Sequence, residues 1–126
     1  MRKFKFLFLF LLFLLLTACG GGKSDAARAV EGYYNALIAQ DSAGFDALVC
    51  PDFAGDAGTE FASFAGVESE LDGMSCSQTG TEGQTALVQC QGKIVATYGT
   101  EKMEIPLGDR TYRVVNQDGA WRVCGY

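Results

Sequence analysis

The chain has 126 residues, with fifteen acidic and ten basic side chains, a formal charge of −5 and no histidine. Without imidazole there is no usual general base, zinc ligand or near-neutral pH switch, and Ser-His-Asp and Cys-His catalysis are excluded. The acidic balance also disfavours nucleic acid and anionic lipid head groups as partners.

Met1-Arg2-Lys3-Phe4-Lys5 is positively charged, and Phe6 to Leu16 is unbroken Leu and Phe. An apolar stretch of about a dozen residues suits a signal peptide and is short for a bilayer span. It runs into Leu16-Thr17-Ala18-Cys19, which resembles the lipobox of bacterial lipoproteins. That resemblance implies cleavage after residue 18 and lipid on Cys19. The domain would then sit outside the cytoplasm, in the cell envelope, with the membrane as its first partner. An ordinary secretory signal or a short membrane anchor is the alternative.

Loss of Arg2, Lys3 and Lys5 with the leader would leave seven basic and fifteen acidic residues, a net −8. Roughly a hundred residues would remain, enough for one small domain with a modest core. Residues 19–23 read as the lipidated cysteine and a glycine tether, and 24–126 as the domain. The Gly22-Lys23-Ser24 ending is not a phosphate loop, because Thr17 stands where that motif needs glycine and no strand precedes it.

Ser24 is a helix cap, with Asp25 in the first turn. Ala26, Val30, Tyr33, Tyr34, Leu37 and Ile38 recur at helical spacing. Asp41-Ser42 restarts the chain, Phe45, Leu48 and Val49 mark a short second helix, and Pro51 stops it. Residues 53–58 read as a connection. Thr59 caps a third predicted helix with Phe61, Phe64, Ala65 and Leu71 on one stripe, ended by Gly73.

From Met74 the pattern changes to strands. A short one is predicted at 74–78. A longer one follows at 85–98, with Val88, Cys90, Ile94, Ala96 and Tyr98 on one parity. Further strands are expected at 101–107, 110–116 and 120–125. Asp118-Gly119 is a strong hairpin signal that sets Val114 opposite Val123 and Asn116 opposite Trp121.

Besides Cys19, the chain carries Cys50, Cys76, Cys90 and Cys124. An even number in a small exported domain reads as two disulfides, for which three pairings exist. Cys76 and Cys90 flank a hairpin-like loop, Gln78 to Gln84, and can face each other across two strands. That leaves Cys50 with Cys124. A four-thiolate metal site is the other reading, but no C-x-x-C pair is present. No metal or cofactor is expected.

Helices followed by an antiparallel meander make an α+β layout. The order resembles the nuclear transport factor 2-like superfamily, in which N-terminal helices pack on a curved, cone-shaped antiparallel sheet. Two passages carry the resemblance. One is Ala29-Val30-Glu31-Gly32-Tyr33-Tyr34-Asn35-Ala36-Leu37-Ile38-Ala39-Gln40-Asp41, running into Phe45-Asp46-Ala47-Leu48-Val49. The other is Tyr112-Arg113-Val114-Val115-Asn116-Gln117-Asp118-Gly119-Ala120-Trp121-Arg122-Val123.

The resemblance implies a pocket between the first helix and the concave sheet face. Tyr34, Phe45, Tyr98, Tyr112 and Trp121 are the candidate lining residues by parity. The alternative is that these aromatics simply fill the core. A ketosteroid isomerase-like reaction needs a carboxylate base in an apolar pocket. Asp46 and Asp52 are the nearest acids to the helical passage and read as surface and loop residues.

The expectation is therefore a non-catalytic envelope module that binds a small apolar ligand or a protein partner. A homodimer through the open sheet face, covering Val95, Arg113 and Val115, is the second reading. A small isomerase or hydrolase is the third.

Overall fold

Ser24 caps the first helix, its hydroxyl accepting from the Ala27 amide at 3.1 Å. This helix, α1, spans Asp25–Ala39, and Asp25 complements the dipole at its start. Val30, Tyr33, Tyr34 and Leu37 lie on its buried face. Gln40 ends it in left-handed backbone, and the Gln40 side-chain amide donates to the carbonyls of Leu37 and Phe61 at 2.8 and 3.1 Å. Asp41 then caps α2, Ser42–Ala47, by accepting from the Gly44 amide. The computed structural model describes residues 23–126. The leader, Cys19 and the glycines of the tether lie outside them.

A 3-10 turn at Pro51–Phe53 leads directly into α3, Ala54–Ser63. This differs from the predicted connection at 53–58. Pro51 opens helical structure, because proline fits a first helical turn, and the second helix has already ended at Ala47, short of the predicted Leu48 and Val49. Thr59 lies inside α3 and donates to the Gly55 carbonyl at 3.1 Å rather than capping the helix.

The predicted run of α3 through Leu71 is also replaced. The chain turns at Gly66, and β1 spans Glu68–Glu82, with Leu71 opposite Ile94. Glu68, Glu70 and Asp72 mask the strand pattern in the sequence. They belong on an edge strand, where charge discourages pairing with other chains.

The central strand is β2, Thr85–Tyr98. Along one side it pairs antiparallel with β1. Along the other, β4 (Thr111–Gln117) covers its first half and β3 (Glu101–Pro106) its second. β5, Ala120–Gly125, joins β4 through Asp118-Gly119, both residues at positive φ. Val114 faces Val123 and Asn116 faces Trp121, the register the turn predicts.

Among the described residues the result is α+β: three α-helices packed on one open five-stranded antiparallel sheet. Val30, Tyr33 and Leu37 share a core with Val88, Ile94, Tyr112, Val114 and Val123. Among the described residues, no helix is long and apolar enough to cross a membrane.

One feature holds the two strands of the β1–β2 hairpin close together, and a second seats the hairpin on α1. At Gly92, φ is 91° and an added Cβ would meet the Gly73 carbonyl at 2.5 Å, so the two backbones touch where the register shifts between Asp72 and Ser75. Glu31 of α1 accepts from the Cys76 amide at 3.1 Å and pairs with Lys23.

Cys76 stands directly opposite Cys90, and Cys50 lies beside Cys124. Both pairs are at disulfide distance, with Cα separations of 4.0 and 4.9 Å. This is the pairing that the hairpin-like loop suggests.

Candidate functional site

Helix α3 turns Glu60 and Phe64 to the same side, one helical turn apart. Strand β4 begins just after Arg110, which shares its parity with the buried Tyr112. These two segments meet beside Tyr33 and Tyr34 of α1. Between them lies a half-open cavity of about 310 Å³. Its apolar wall is Phe64, Ile94, Ile105 and Leu107, and Tyr34, Glu60, Asp109 and Arg110 supply polar groups.

Tyr34, Glu60 and Arg110 belong to one chain of contacts. The Tyr34 and Tyr112 hydroxyls are 2.5 Å apart and buried. One Arg110 nitrogen, Nη1, donates to the Tyr112 hydroxyl at 3.1 Å and to both Glu60 carboxylate oxygens at 3.0 Å. The Tyr33 hydroxyl approaches Glu60 at 3.4 Å. The Arg110 guanidinium also lies over the Tyr126 ring, 4.0 Å from its centroid.

Burial sets the protonation of this cluster. It pushes the Tyr33, Tyr34 and Tyr112 phenols above their ordinary value of 10.0. The negative Glu60 adds to the effect at Tyr33 and the neighbouring phenol adds to it at Tyr34. Burial also opposes the charge on Arg110. The hydrogen bond to Tyr112 and the attraction of Glu60 outweigh that opposition and hold the guanidinium charged.

All three phenols are therefore hydrogen-bonding alcohols and not bases at neutral pH. Tyr112 accepts from Arg110, and it shares a hydrogen bond with Tyr34 in which either hydroxyl can donate.

The five sequence-selected aromatics do not gather in one place. Tyr34 lines this cavity, and Tyr112 lies beneath it as the link to Arg110. Phe45 is buried between the rings of Tyr33 and Phe61, at centroid distances of 4.7 and 4.8 Å. Trp121 is half-buried against the core. Tyr98 is 46% exposed, because it is the last residue of β2 and the chain turns away at Gly99.

The parity reading passed over Glu60 and Arg110. Their signals were their spacing to Phe64 and to Tyr112 on the same faces. Among the described residues, no three carboxylates or thiols converge as a metal set would. Compared with known proteins, the chain matches no family model, and no curated protein and no solved structure is significantly similar to it.

Proposed function

We propose that this chain is a lipid-anchored module of the cell envelope, of nuclear transport factor 2-like build, that binds a small and mainly apolar molecule without transforming it. The cavity beside Tyr34 carries the reading. Its volume of about 310 Å³ lies at the small end of ligand sites, which run to about 300–1,000 Å³. An apolar wall with a few convergent polar groups at one end is the usual make-up of such sites.

The lipobox-like Leu16-Thr17-Ala18-Cys19 supports the anchor, and the helices-then-meander order supports the build. The absence of turnover is inferred from the polar cluster. Its phenols are held neutral, and the Glu60 carboxylate is engaged by Arg110.

Mass spectrometry of the protein exported from an oxidising host tests the reading in one experiment. The denatured chain is expected to begin at Cys19 and to carry acyl groups, and the native chain to carry an additional mass. Nile red is the apolar probe for the cavity, and Ile105→Trp is expected to fill it and remove probe binding. Unchanged Nile red binding in a folded Ile105→Trp variant would sink the cavity as the ligand site.

A further inference from the structure

A second cavity, separate from the one beside Tyr34, lies between α2, the Pro51 turn, α3 and β5. It measures about 370 Å³ and is lined by Phe45, Val49, Ala54, Ala57, Asp46 and Arg122, beside Pro51. Arg122 belongs to β5, opposite Val115, and its neighbour Val123 points the other way into the core. The Arg122 Nε is buried and meets no hydrogen-bond acceptor. Arg122 also takes part in none of the ion pairs among the described residues. A part-buried cation with no anionic partner carries a desolvation cost that an anion held against the rest of its guanidinium offsets.

We infer that this cavity is a binding site for a small monocarboxylate with an apolar body, its carboxylate on the Arg122 guanidinium. The planar guanidinium fork matches two carboxylate oxygens. Phe45, Val49 and Ala57 are buried apolar walls against which an alkyl or aryl body would rest. Asp46, exposed at the rim, repels a second negative charge and so selects a monoanion over a phosphate dianion.

The frame is fixed in advance. The Cys50 amide donates to the Val123 carbonyl at 2.9 Å, the Val123 amide donates to the Leu48 carbonyl at 2.7 Å, and Cys50 is at disulfide distance from Cys124. The walls therefore keep their places when the site is empty, which lowers the ordering cost of binding.

The test is a titration of the exported protein with benzoate, followed by amide NMR. Saturable shifts are expected at Val49, Ala54 and Ala57. Benzyl alcohol, which keeps the ring and lacks the carboxylate, is expected to bind at least about tenfold more weakly. Arg122→Met should weaken benzoate by at least about tenfold, and Arg122→Lys by less, because it keeps the charge without the fork. Ala54→Trp blocks the cavity without touching Arg122 and is expected to abolish the shifts, which covers the case of an unfolded Arg122→Met. Equal affinity for benzyl alcohol, undiminished binding in Ala54→Trp, or shifts clustered around Arg110 instead would each overturn the assignment.

Discussion

Tyr34 and Tyr112 illustrate how a buried hydroxyl is kept within reach of function. Each alone would be an expensive polar group in an aromatic core. Together they satisfy each other at 2.5 Å, and Arg110 closes the chain to Glu60. The consequence is a pH dependence with a definite sign. Folding raises the phenol pKa values above 10.0, so the unfolded chain releases these protons first.

Stability should be flat below about pH 10 and fall above it, by up to about 1.4 kcal/mol per pH unit for each tyrosine. Urea midpoints between pH 8 and 11 measure this. Tyr34→Phe should cost about 1 kcal/mol at pH 8 and reduce the alkaline slope by one tyrosine's share. A slope identical to that of the unaltered protein would show that Tyr34 titrates normally. At this scale parity found Tyr34 and Tyr112. Glu60 and Arg110 escaped because single charged residues are assigned to solvent until a partner is known.

At the scale of elements, the β1–β2 hairpin and α3 use glycine in opposite ways. Gly92 has positive φ and a backbone neighbour where a side chain would go. Gly58 lies in exposed helix with open space around it. Gly92→Ala is therefore expected to destabilise by more than about 1 kcal/mol. Gly58→Ala is expected to stabilise by about 0.5–1 kcal/mol, since alanine loses less backbone freedom in a helix. Thermal unfolding of the two variants side by side decides the point, and equal shifts in one direction would contradict it. The elements with clean periodicity, α1, β2 and the β4–β5 hairpin, are the ones legible in advance. Of β1 only the stretch 74–78 was, because its first half carries Glu68, Glu70 and Asp72 on an edge and a register shift interrupts its alternation.

For the whole molecule, the two disulfides act at different ranges. Cys50–Cys124 closes a sequence separation of 74 and Cys76–Cys90 one of 14. Loop-closure entropy assigns about 4 kcal/mol to the first and about 3 kcal/mol to the second. Replacing Cys50 and Cys124 by alanine should therefore lower the urea midpoint more than replacing Cys76 and Cys90. The reverse order would mean that the unfolded chain is not the main place where these bonds act. The long-range bond also joins the segment after α2 to the last strand, so it holds the walls of the Arg122 cavity as well as the fold.

Local chemistry along the chain was enough for the class of fold. Capping at Ser24, helical spacing from Ala26 to Ile38, two-residue alternation in β2 and the Asp118-Gly119 turn all act within a few residues, and each survives in the structure. The sites did not follow from such rules. Glu60 and Arg110 are fifty positions apart, and nothing near either one names the other. Tyr98 keeps the correct parity and is still exposed, since parity sets a face and not whether another element covers it. Cavities and paired charges depend on where α3 lies relative to β3 and β4. Packing decides that placement, through contacts whose partners are remote in sequence.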